Sequence, residues 1–139
     1  MLETEKGVGF MLAAGQVAAT LAVSDVDRAR KFYTETLGFT SMMEDPAMGT
    51  LYGGGKGTMF LVYWSEFAGT NKATAMTINV EDFDGTIAEL REKGITFLDF
   101  DYPGFSSKEG IVQTPTGLAA WFTDPDGNII SVGSMPSLM

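Results

Sequence analysis

WFTDPDGNIISV, residues 121–132, sets two short apolar runs around Asp124-Pro125-Asp126-Gly127-Asn128. Pro125 presets φ, Gly127 permits a positive φ, and the Asp and Asn side chains can bond nearby backbone. Trp121-Phe122 and Ile129-Ile130 flank the turn as apolar strands, so the stretch reads as a hairpin. A turn symmetric about Asp126 places Trp121 opposite Ser131.

Upstream, residues 17–23 (VAATLAV) alternate. Period two puts Val17, Ala19, Leu21 and Val23 on a bulky face that should meet a helix, and Ala18, Thr20 and Ala22 on a small face suited to a cavity. Ser24-Asp25-Val26-Asp27 is a helix start, and Val26, Ala29, Phe32, Tyr33 and Leu37 then recur at helical spacing up to the Gly38 cap. Strands are expected at 39–44, 50–52 and 58–64, with the glycines at 53–57 as a hairpin turn. That run lacks the GK[ST] ending and following helix of a phosphate loop. A polar connection at 65–71 leads to a strand at 72–80, with Ala75, Thr77 and Asn79 on one face and Met76, Ile78 and Val80 on the other. Asp82 should cap a second helix ending near Gly94. A strand is expected at 95–100, and 101–117 should be a long irregular connection.

The halves repeat. Val23-Ser24-Asp25-Val26-Asp27 matches Val80-Glu81-Asp82-Phe83-Asp84 at an offset of 57, and Leu37-Gly38-Phe39 matches Lys93-Gly94-Ile95 at 56. Each half reads strand, helix, three strands. The fold expected is α+β: two βαβββ modules, 15–71 and 72–133, whose curved mixed sheets share a cleft and carry one helix on each outer face. Residues 1–14 form an N-terminal extension and 134–139 a tail. The cleft is the default ligand site.

Composition narrows the chemistry. The chain has no Cys and no His, which removes disulfides, thiolate nucleophiles and the commonest general base and metal ligand. Its net charge of −9 disfavours phosphate backbones, so nucleic acid is not an expected partner. No apolar run approaches the roughly 18 residues of a membrane span. Glu3 and Glu5 outweigh Lys6, unlike the basic start of a signal peptide, so the cytoplasm is the expected location and no membrane partner is expected.

VSDVDRARKFYTETLGF (23–39) together with the terminal DPDGN hairpin resembles the vicinal oxygen chelate superfamily, which includes glyoxalase I, extradiol dioxygenases, and the fosfomycin and bleomycin resistance proteins. The resemblance covers roughly residues 15–133. It implies the two-module fold, and a metal held by a His seven residues before each helix-capping Asp and by a Glu after the DPDGN turn. Those positions here are Ala18, Ala75 and Ser131, none a strong ligand. No metal or other cofactor is therefore expected. An all-carboxylate Mg²⁺ or Ca²⁺ site is the remaining metal option.

Ligand-lining residues expected from face alternation and the aromatic distribution are Ala18, Thr20, Tyr63, Ala75, Thr77, Tyr102, Phe105, Trp121 and Ser131. The small residues would give room, Trp121 a stacking surface, and the hydroxyls orientation. Asp99, Asp101 and Glu109 beside Tyr102 and Phe105 suit a cationic or aromatic compound. The favoured reading is a metal-independent binding protein that sequesters such a compound, as antibiotic-resistance members do. As family members do, it would form a homodimer. The alternatives are a glyoxalase-like lyase, isomerase or dioxygenase using carboxylates or an unusual metal, and a non-catalytic interaction module.

Overall fold

The computed structural model describes residues 11–134. After a 3₁₀ turn at Leu12–Ala14, β1 (Ala19–Val23) leads into α1 (Val26–Lys31), followed by β2 (Thr40–Asp45), β3 (Gly49–Gly53) and β4 (Met59–Trp64). Then come β5 (Thr74–Asn79), α2 (Phe83–Glu92), β6 (Asp101–Tyr102), β7 (Phe105–Lys108), β8 (Ile111–Thr114), β9 (Gly117–Thr123) and β10 (Ile129–Gly133). The strands form a four-stranded sheet ordered β1-β4-β3-β2 and a six-stranded sheet ordered β5-β10-β9-β8-β7-β6. In each sheet the strand before the helix lies parallel to the last strand, β1 to β4 and β5 to β10, and the other pairs are antiparallel. This is the expected α+β architecture of two mixed sheets and two helices.

Both helices start as their sequences direct. The Asp25 carboxylate accepts the Arg28 N–H and the Asp82 carboxylate accepts the Gly85 N–H. α1 then departs from expectation: past Lys31 it widens into a π turn at Phe32–Thr36, with the Leu37 N–H bonded to the Phe32 carbonyl. The adjacent Phe32 and Tyr33 thereby both reach the core, although a regular helix would set them about 100° apart.

Three other expectations need correction. Val17 is 94 % exposed and the strand begins at Ala19, so Val17 does not join the helix-facing row. Residues 95–100 form no strand. The chain there makes two isolated backbone bonds to strands, from the Leu98 N–H to the Trp121 carbonyl and from the Ser107 N–H to the Phe100 carbonyl, while Asp99 binds the turn ahead of it. The stretch 101–117 is not irregular: it carries β6, β7 and β8. Its Pro and Gly residues punctuate hairpins, with Gly104 and Gly110 at φ of 77° and 82°. Residues 1–10 of the expected extension and 135–139 of the expected tail lie outside the described residues.

One core serves both sheets. Leu21, Tyr33, Tyr52 and Phe60 from the first half and Phe83, Ile87, Phe122 and Ile130 from the second belong to a single buried cluster. The DPDGN turn closes its seam. Asp124 Oδ1 accepts the backbone N–H groups of Asp126 (2.9 Å) and Asn128 (2.8 Å). Oδ2 accepts the Tyr33 hydroxyl (2.7 Å) and the Asn128 amide (2.8 Å). That amide also donates to the Ala22 carbonyl at 2.8 Å, while Ser24 Oγ donates to Asp126 at 2.6 Å and Arg28 pairs with it at 3.2 Å. The turn thus ties the second sheet to the end of β1 and to α1. Asp124 is only 4 % exposed, so these bonds replace the water its carboxylate gave up.

Burial, and then the neighbouring Asp124 charge, push the Tyr33 phenol well above its ordinary value. The folded state holds this proton longer than the unfolded chain, whose tyrosines titrate near about 10. The stability this contributes is intact below about pH 10 and is lost as pH rises beyond it. Tyr33→Phe should therefore flatten the alkaline fall in stability while costing about 1 kcal/mol near neutrality. Urea melts of both proteins between about pH 7 and pH 11 measure this, and equal alkaline slopes would remove Tyr33 from the effect.

Candidate functional site

Each sheet turns one face to the common core and leaves the other open. In β4, Phe60 and Val62 are buried while Tyr63 is 37 % exposed. Thr20 pairs with Leu61 and Ala22 with Tyr63, so Thr20 and Tyr63 share the open face of the first sheet. On the second sheet one row crosses β5, β10 and β9: Thr77 beside Ser131 beside Trp121. The Ser131–Trp121 pairing is the register of a hairpin symmetric about Asp126. Phe122, Ile130 and Val132 point to the core, so this row faces the other way.

Beside Trp121 lies an open recess of about 260 Å³. Its aromatic wall is Phe100, Phe105 and Trp121; Ala73, Leu98 and Ile129 add aliphatic surface, and Lys72 and Thr74 are its polar members. Phe100 stands edge-on to Trp121 with ring centroids 5.2 Å apart, and Phe105 lies tilted at 5.6 Å. Tyr102, 62 % exposed, adjoins both phenylalanines at 6.5 Å. These four rings lie outside the main buried cluster, so their apolar surface is not needed to close the core. Trp121 Nε1 donates to Thr74 Oγ1 at 3.1 Å, which fixes the plane of the indole. The β6–β7 hairpin, which brings in Phe105, is pinned at its base: Asp99 Oδ1 accepts Ser107 Oγ at 2.9 Å and the Gly110 N–H at 3.1 Å.

Of the nine residues expected to line a site, Phe105 and Trp121 line this recess and Tyr102 borders their cluster. Thr77 and Ser131 continue the row from Trp121, with Ser131 only 5 % exposed. Thr20 and Tyr63 sit on the other sheet, and Ala18 is exposed ahead of β1. Ala75 falls in a bulge where Thr74 and Met76 oppose consecutive residues of β10, and it packs against the core. The bulge is also what places Thr74 within reach of Trp121. Asp99 is occupied in the hairpin, and the charged side chain in the recess wall is Lys72, not an acid.

Sequence reasoning missed Lys72, Ala73, Thr74, Leu98, Phe100 and Ile129 as lining residues. Phe100 carried a signal, since it stands in an aromatic series with Phe97, Tyr102 and Phe105. Thr74 carried none, because strict alternation conceals a bulge.

The superfamily's metal does not fit this donor set. At its three positions Ala18 and Ala75 offer methyl groups and Ser131 one neutral hydroxyl. Among the described residues, no three His, Cys, Asp or Glu side chains come together as a metal cage.

The fold has many solved counterparts. A bleomycin-binding protein solved in complex with bleomycin is 20 % identical, with a TM-score of 0.68 over 88 % of this chain and 99 % of that one. TnmS3, an antibiotic binding protein from Streptomyces sp. CB03234, is 23 % identical with a TM-score of 0.61, covering 88 % and 98 %. A member of the glyoxalase/bleomycin resistance protein/dioxygenase superfamily from Sphaerobacter thermophilus DSM 20745 is 29 % identical with a TM-score of 0.64, covering 88 % and 98 %. None of the curated proteins compared matches the chain in sequence. The family model described as Glyoxalase/Bleomycin resistance protein/Dioxygenase superfamily matches residues 15–132, a span that takes in both sheets, both helices and the DPDGN turn. The chain therefore belongs to the glyoxalase/bleomycin resistance protein/dioxygenase superfamily.

Proposed function

We propose that this protein binds and sequesters a flat aromatic compound without a metal. The observation that carries the reading is the recess at Trp121, where three rings outside the core present edges and faces to solvent. Such surface stacks well on a planar ligand, and the Thr74 hydroxyl supplies a polar mark beside it. The absence of strong ligands at 18, 75 and 131 argues against Lewis-acid catalysis, and no buried carboxylate stands free in the recess wall to act as a base. Two solved structures of the same fold are an antibiotic binding protein and a bleomycin-binding protein, which supports the sequestration reading. We further read the protein as a homodimer. Met43, Met48, Tyr63, Trp64 and Phe67 leave large apolar side chains exposed on or beside the first sheet, a composition suited to a contact between copies.

The test is a screen of planar aromatic compounds, bleomycin among them, by thermal shift and tryptophan fluorescence. A Trp64→Phe background leaves Trp121 as the sole reporter, because the chain has two tryptophans. A binder present at about 100 times its Kd should add about 2.7 kcal/mol of stability, quench Trp121, and do both after dialysis against EDTA. If no compound shifts melting or quenches near its solubility limit, sequestration fails. Loss of binding in EDTA would refute metal independence alone.

A further inference from the structure

The recess has a sign of charge opposite to that of the protein. The chain carries −9 overall, yet the charged side chain in the recess wall is the cation Lys72. Two acids flank Phe100 in sequence, and neither lines the recess: Asp99 has its carboxylate committed to Ser107 and Gly110, and Asp101 is exposed on β6. Lys72 belongs to no ion pair among the described residues; its ammonium donates to the Gly69 carbonyl at 3.2 Å, a bond to a neutral group that leaves two N–H donors. Asp124 and Asp126 are held by partners in the DPDGN turn, and at physiological salt the field of exposed acids is screened within about 8 Å. A ligand group in the recess therefore responds to Lys72 more than to the net charge.

We propose that the ligand of this recess is an aromatic acid: a planar ring system against Phe100, Phe105 and Trp121, with its carboxylate or equivalent anion on the Lys72 ammonium. This rests on the aromatic-binding reading above and adds the ligand's charge to it. It also reverses the expectation of a cationic ligand drawn from net charge. The Thr74 hydroxyl, already accepting from Trp121, can donate its own proton to the same anion.

Three probes of the same ring separate the possibilities: 2-naphthoate, neutral 2-naphthamide and cationic 2-naphthylmethylamine. Each is titrated into the full chain carrying Trp64→Phe, read by Trp121 quenching and by calorimetry. 2-Naphthoate should bind about tenfold more tightly than 2-naphthamide, the value of one charge-assisted hydrogen bond. Its advantage should shrink as salt rises. Lys72→Met should close the gap between 2-naphthoate and 2-naphthamide to within about twofold, and Lys72→Arg should restore most of the difference. Lys72 is exposed and lies outside the buried cluster, so neither variant endangers folding. Equal affinities for the acid and the amide, or tighter binding of the amine, would overturn the charge assignment and keep the aromatic site. If none of the three probes quenches Trp121, both the charge assignment and the aromatic site fall.

Discussion

Asp124→Ala should lower the stability of this protein by about 4 kcal/mol, a large share of the roughly 5–15 kcal/mol that a domain of this kind possesses. The carboxylate is 4 % exposed and accepts four hydrogen bonds, two from backbone N–H groups in its own turn, one from the Asn128 amide and one from Tyr33. Alanine leaves those donors without an acceptor where water has little access, and each orphaned group costs on the order of 1–3 kcal/mol. Relief from burying a charge offsets part of this, so the sum of the four is an upper bound. Asp124→Asn keeps the shape but turns one accepting atom into a donor facing donors, and should cost about 2 kcal/mol. Ser24→Ala, at an exposed position of the same seam, should cost under about 1 kcal/mol. Urea denaturation gives all three values, and the melting temperature of Asp124→Ala should drop by roughly 10 °C. A loss below about 1 kcal/mol for Asp124→Ala would show that the turn does not hold the two sheets together.

This seam shows how sequence and structure share the information. The DPDGN stretch read as turn chemistry, and the symmetric register it implied, Trp121 against Ser131, is the register found. Its larger role, accepting Tyr33 and reaching the Ala22 carbonyl, could not be read locally, because the partners lie 91 and 106 residues away. The elements that did read correctly were those with a strong local signal: the Asp25 and Asp82 caps, the apolar stripe of each helix and the alternation of β4. The misreadings have physical causes. Pro103, Gly104, Gly110 and Pro115 signal breaks in a chain, and a break in a meander of short hairpins resembles a break in an irregular loop. Residues 95–100 alternate like a strand but make two isolated backbone bonds to strands, at Leu98 and Phe100, and alternation does not supply a continuous partner. At the site, alternation assigned Ala75 and Thr77 to one face. The β5 bulge moves the useful hydroxyl to Thr74, next to the indole, and packs Ala75 against the core. Lys72 reads as the first residue of a strand and not as part of the site, since its position depends on where the chain before β5 meets the recess.

The second large effect concerns binding. Trp121→Ala should weaken a planar aromatic ligand about 100-fold, or about 3 kcal/mol, as expected for truncating a buried aromatic anchor. The indole is the ring that Phe100 and Phe105 both contact, at 5.2 and 5.6 Å, so its removal takes away a stacking surface and loosens the other two walls. Trp121→Phe keeps a ring but loses the Nε1 donation to Thr74, and should cost about tenfold through a less fixed plane. Thr74→Val should approach the same loss without touching the ring. Two substitutions locate the site against the open faces of the sheets: Thr77→Val, in the same cross-strand row two strands from Trp121, and Tyr63→Ala, on the other sheet. Both should leave affinity within about twofold if the recess alone engages the ligand. Calorimetric titration of 2-naphthoate, or of any compound that quenches Trp121 in the wild type, measures the series. The Trp121 variants lie outside the main buried cluster, so a melting temperature near that of the wild type should accompany the loss of binding and separate it from misfolding. A Trp121→Ala protein that binds as well as the parent, while Tyr63→Ala does not, would move the site from the recess to the open face of the first sheet.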